Sequence, residues 1–179
     1  MQRYTAMLSL SAASVLVMSG AGSAQDVVRA ERLRGGNENP PVLSDGSGRF
    51  GATVHEDRIE FTLSYDIASE DSDVTQAHLH IQNPGNNGGI VVFLCSNLGN
   101  TPPGATQRDC PLSPGEVEGE IIAEDVGTVI DGDPPAPIIE AGDLEGLARL
   151  IRQGSVYANV HSDAHSGGEI RAQLNPRRR

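Results

Sequence analysis

The chain has 179 residues, with 13 Lys plus Arg against 24 Asp plus Glu, for a formal net charge of −11. Every basic residue is arginine, aromatics make up 3% and Trp is absent, so composition argues against an electrostatic nucleic-acid binder. The length suits one domain with or without a processed leader, and 21 Gly with 11 Pro call for many turns.

The first two dozen residues have the pattern of an export signal. Arg3 supplies a basic start, residues 6–17 (AMLSLSAASVLV) form an apolar stretch, and Gly22 and Ala24 are the small residues before a cut at Gln25. The stretch is shorter than the ~20 apolar residues needed to span a bilayer, and no second such run follows. The expected organisation is a signal peptide over 1–24, one domain over 25–176 and a basic tail over 177–179, placing the mature protein in the periplasm or outside the cell.

Strand patterns dominate the rest. Residues 27–33 and 49–54 are short candidates, with a loop rich in Gly, Asn and Pro between them. Over 58–65 (RIEFTLSY), Ile59, Phe61, Leu63 and Tyr65 alternate with polar residues, as in a half-buried antiparallel strand. His55 precedes it and reads as a surface residue. A strand follows at 74–81 (VTQAHLHI), then the turn QNPGNNGG and a continuous apolar run at 90–95. Residues 117–123 are another strand.

Leu144, Leu147, Ala148 and Ile151 fall at i, i+3, i+4 and i+7, which predicts a short helix capped by Asp143 and ended by Gly154. Two strands close the chain, 156–162 (VYANVHS) and 169–174 (EIRAQL), and the tail NPRRR is expected to fray. About eight short strands and one helix predict an all-β fold, an antiparallel, Greek-key-like β-sandwich. The only cysteines, Cys95 and Cys110, suggest one disulfide in an exported chain, with two free thiols as the alternative.

Four of the five histidines lie in two motifs, AHLHI over 77–81 and YANVHSDAH over 157–165. Alternation puts His78 and His80 on one face of their strand, and Tyr157, Asn159 and His161 on one face of theirs. If the strands are neighbours, His78, His80 and His161 could bind Zn or Cu, which favour imidazole, with His165, Asp163 or Glu169 as a fourth ligand. The competing reading is that these rings hydrogen-bond across strands and close the fold. The acidic pairs Asp71/Asp73 and Asp131/Asp133 lack the spacing of an EF-hand loop and read as solvated turns. No phosphate-binding loop or nucleophile–base pattern is present.

The segments VTQAHLHIQNPGNNGGIVVFLC and AGDLEGLARLIRQGSVYANVHSDAHSGGEIRAQL resemble the CHRD domain, named after chordin and found in many bacterial secreted proteins. The opening NENPPV is also similar to the usual start of that domain. The positions that carry the likeness are His78, His80, Asn159, His161, Gly168, Glu169 and Arg171; Ser162 stands where the family commonly has Thr. The resemblance implies an exported all-β domain with no generally established reaction. A partial likeness to copper–zinc superoxide dismutases rests on the His-x-His strand pair alone, and the rest of that ligand set has no counterpart here. Two functions follow: a non-enzymatic binding or structural module with an unknown protein partner, or a secreted or periplasmic Cu/Zn-binding protein. A metal-dependent oxidoreductase would need a fuller ligand set.

Overall fold

The computed structural model describes residues 26–67, 73–131 and 136–176. The leader over 1–24, Asp71, Asp133 and the basic tip 177–179 lie outside the described residues. The chain runs β1 (Asp26–Arg34), β2 (Ser47–Val54), β3 (Ile59–Asp66), β4 (Val74–Ile81), β5 (Gly89–Ser96), β6 (Gly115–Ile121), β7 (Val129–Asp131), β8 (Ala136–Ile139), α1 (Leu144–Gln153), β9 (Val156–Ser162), β10 (Ile170–Gln173) and β11 (Asn175–Pro176).

The fold is all-β and antiparallel with one helix. Nine strands form one sheet in the order β5-β4-β9-β10-β1-β2-β3-β6, with β11 added to β1, and the two ends β5 and β6 come into contact. The sheet therefore nearly closes on itself around the core, as a sandwich or barrel does. The chain leaves β3 on one half and resumes as β4 on the other, so these two consecutive strands are not neighbours in the sheet.

Alternation explains most of these strands. In β3, Ile59, Phe61, Leu63 and Tyr65 are buried while Thr62 and Asp66 are exposed. In β6, Val117 and Ile121 point inward and Glu116, Glu118 and Glu120 face solvent, keeping an edge strand soluble. The helix is built as its periodicity requires. Leu144, Leu147, Ala148 and Ile151 are buried, the Gly146 N–H donates to Asp143 Oδ1 at 2.7 Å, and Gly154 ends the helix in the left-handed region at φ +75°.

Three details depart from the sequence expectation. A two-stranded hairpin, β7 with β8, forms where the sequence pattern predicts no strand; it tolerates Pro137, opposite Ile130, because so short a ribbon needs few ladder bonds. Asn175 and Pro176 pair with Arg29 and Val28 of β1 instead of fraying. His55 is half-buried, and its Nε2 lies 3.3 Å from Glu60 Oε1.

Cys95 and Cys110 form a disulfide across 15 residues. It anchors a loop that has no regular structure, helped by Asn97, whose side chain donates to Val74 O and Cys110 O and accepts from the Cys110 N–H. Replacing both cysteines by Ala should lower stability by about 3 kcal/mol, the loop-closure value for this separation. Chemical denaturation of the variant under non-reducing conditions would reveal it; an unchanged midpoint would show that the cross-link contributes nothing.

Candidate metal centre

The site begins with the register between β4 and β9. His78 lies opposite Asn159, His80 opposite Tyr157 and Gln76 opposite His161. On the other flank, β5 carries one extra residue beside each histidine, so that the pairing skips Leu94 next to His78 and Val91 next to His80. Bulges of this kind re-aim neighbouring side chains. The three rings converge: His78 and His161 centroids are 5.0 Å apart, and His78 and His80 5.5 Å. One ligating atom from each of His78, His80 and His161 lies within 4.8 Å of the others. A Zn or Cu ion with bonds of about 2.0–2.1 Å holds its nitrogens roughly 3.3–3.6 Å apart, so small ring rotations would bring all three onto one ion.

Hydrogen bonding sets the tautomers. His80 Nδ1 lies 2.9 Å from Gly88 O, and His161 Nδ1 lies 2.9 Å from Ser166 O. A carbonyl only accepts, so both Nδ1 atoms carry protons and both Nε2 atoms present lone pairs. His161 Nε2 receives the His78 Nδ1–H at 3.2 Å, which leaves His78 Nε2 bare as well. Neither His78 Nε2 nor His80 Nε2 has a hydrogen-bond partner.

Burial enforces the neutral state. His78 is 0% exposed, and His80 and His161 are 7% exposed each. Desolvation pushes His78 down to about 2, with His161 and His80 adding repulsion, and pushes His80 down to about 4. Desolvation lowers His161 too, opposed by the Ser166 carbonyl.

A polar shell covers the rings. Arg171, 2% exposed, lies opposite Asn159, stacks its guanidinium 3.4 Å above the Tyr157 ring, and donates to Asn87 Oδ1 and Asn86 O. Tyr157 in turn stacks on His80 at 4.8 Å. Gly88 closes this side: its N–H donates to Tyr157 OH and its carbonyl accepts from His80, while a Cβ there would lie 1.9 Å from Ile81 O. The loop after β1 contributes Glu38, which is 8% exposed. Burial lifts its pKa to about 7, restrained by the nearby Arg171 guanidinium and by a hydrogen bond from Asn159. Gly168, at φ +120°, supplies the space: a Cβ there would lie 2.7 Å from Glu38 Oε1 and 2.9 Å from Asn159 Nδ2.

Not every candidate joins the cluster. Glu169 is buried, but its carboxylate accepts from Ser44 Oγ at 2.6 Å and from Ser162 Oγ. Asp163 is exposed, and His165 is half-buried in the turn, its N–H directed at Ser162. The candidate fourth ligands are thus outside the group of three. Asp73 is exposed, and Asp131 accepts from Gln82 at 3.0 Å. Glu38 was not among the sequence candidates; its only signal was its place in NENPPV, the opening stretch that carries part of the family likeness.

The CHRD domain family matches residues 30–174 of the chain. No curated protein and no solved structure matches it.

Two stability measurements follow from this geometry. Glu38 has a folded pKa of about 7 against an ordinary 4.5, so the fold prefers the protonated carboxyl. Its contribution is full below pH 4.5 and is lost as pH rises through about 7. The three histidines act in the opposite sense, favouring the fold above their ordinary 6.5 and losing that contribution as pH falls. Because Glu38→Gln keeps the histidines, the difference between variant and wild type isolates the carboxyl. That difference should grow by about 3 kcal/mol in favour of Gln between pH 4.5 and 7 in urea titrations; a pH-independent difference would contradict the burial argument. Gly168→Ala should destabilise by about 1–3 kcal/mol in the same assay, through both its backbone conformation and the clash with Glu38.

Proposed function

This chain belongs to the CHRD domain family, and on that premise we propose that it is an exported binding protein whose His78, His80 and His161 hold a copper or zinc ion. The observation that carries the reading is the meeting of three buried imidazoles within 4.8 Å, two of them with Nδ1–H fixed on a backbone carbonyl. A histidine that ligates a metal through Nε2 commonly donates its other N–H in this way, which orients the ring and raises its basicity. Neutral rings need lose no proton to ligate, and imidazole suits both Cu and Zn. Should His78 ligate through Nδ1, the proton now on that atom has a place on its bare Nε2.

Export is supported by the leader pattern over 1–24 and by a disulfide, which persists in oxidising compartments. Among the described residues no helix is long and apolar enough to cross a membrane.

A second reading, a structural module without metal, draws on the 3.2 Å hydrogen bond between His78 and His161, which already satisfies part of the cluster. Metal analysis separates the two. Tag-free protein dialysed against Zn or Cu should retain close to one ion per chain, and His78→Ala with His80→Ala should abolish retention while circular dichroism still shows a folded domain. Protein that retains no ion, with variants that only melt earlier, would decide for the structural module. Metal at about 100 times its dissociation constant should also raise wild-type stability by about 2.7 kcal/mol.

A further inference from the structure

We infer that Glu38 is the residue that fits this centre to a divalent rather than a monovalent ion, an inference that rests on the metal reading above. The cluster itself brings no negative charge. Its three ligands are neutral imidazoles, and beside them lies Arg171, 2% exposed and cationic. A divalent ion placed there would add two positive charges next to a buried guanidinium. Such an arrangement is stable only with a nearby anion, because charge in a dry interior is costly unless compensated.

Among the described residues, two buried glutamates are candidates for that anion. Glu169 is already held by the Ser44 and Ser162 hydroxyls. Glu38 is different: it is 8% exposed, and its Oε1 is buried without a hydrogen-bond partner. Asn159 joins it to the rings: its Nδ2 and Glu38 Oε1 both lie within 3 Å of where a Gly168 Cβ would sit, and it stands opposite His78 in the β-ladder. Asn159 Oδ1 is likewise buried and unpartnered. The unpartnered atoms Glu38 Oε1, Asn159 Oδ1, His78 Nε2 and His80 Nε2 thus all belong to residues of this strand face and of the loop that covers it. Such atoms are few in folded proteins, and their concentration in one place calls for a specific cause. A cation bound by the imidazoles and balanced by Glu38 supplies one.

Coulomb attraction to a carboxylate doubles from a monovalent to a divalent ion at the same place. Glu38→Gln removes that attraction with almost no change of shape, and Glu38→Asp retains the charge. Affinities for Zn(II) and for Cu(I) under anaerobic reduction, each by competition with a chromophoric chelator at about pH 8, where the Glu38 carboxyl is ionised, test the role on tag-free protein. Glu38→Gln should weaken Zn(II) by about tenfold or more, a change of about 1.4 kcal/mol, while Cu(I) does not fall in parallel and Glu38→Asp stays close to wild type. Zn(II) affinity altered less than about threefold in Glu38→Gln, or a parallel loss of both ions, would overturn the assignment while leaving the metal centre standing. Wild-type protein that takes up neither ion would overturn the centre and this assignment together. The thermal transition of each variant, expected at or above that of wild type for Glu38→Gln, separates a charge effect from unfolding.

Discussion

The pairing of β4 with β9 is the constraint on which the rest of this molecule depends. It fixes His78 against Asn159 and His80 against Tyr157, and it brings His161 within 3.2 Å of His78. One residue of slip would turn all of these side chains to the opposite face. That slip is opposed by the core: Ala77, Leu79 and Ile81 of β4 and Val156, Ala158 and Val160 of β9 are all buried on the other side. The aliphatic face thus sets the register, and the polar face inherits its geometry.

The polar face is itself covered, which is the unusual feature of the design. Asn37 donates to Arg171 O, Asn39 donates to Gly85 O, and Asn87 donates back to Asn39 O, so the loops after β1 and after β4 are stitched together above the histidines. Burying polar groups is tolerated where each finds a partner, and most here do. Arg171 has two hydrogen-bond acceptors and an aromatic ring, and Glu169 has two hydroxyls. Leaving a buried polar atom unpaired costs about 1–3 kcal/mol, and this region leaves several so. Departures from full satisfaction of this kind are characteristic of functional sites, where binding a ligand recovers what the empty fold gives up.

Much of this was legible in the chain. Period-two alternation located β3, β4 and β9, and period 3.6 with Asp143 and Gly154 located α1 to its ends. The same alternation put His78 and His80 on one face and Asn159 and His161 on another, leaving only the adjacency of β4 and β9 to be learned from the fold. What alternation could not express was the cover. A strand reading places His78 opposite the core and says nothing about loops that later fold over it, so its complete burial came from tertiary structure. Glu38 was hidden for the same reason: it sits in irregular backbone 40 residues before His78, where no periodicity links it to the histidines. Glu169 misled in the opposite way. Its place on the polar face of the closing strand suggested a ligand, whereas the Ser44 and Ser162 hydroxyls, one of them from the distant loop before β2, already hold it.

The most direct test of the central claim is an anomalous-diffraction experiment on crystals grown with Zn(II), with data collected on both sides of the zinc edge. The account predicts one peak per chain, bonded at about 2.0–2.1 Å to ring nitrogens of His78, His80 and His161. A map in which those three rings keep their hydrogen bond and carry no peak, or in which zinc sits only on surface carboxylates, would contradict it.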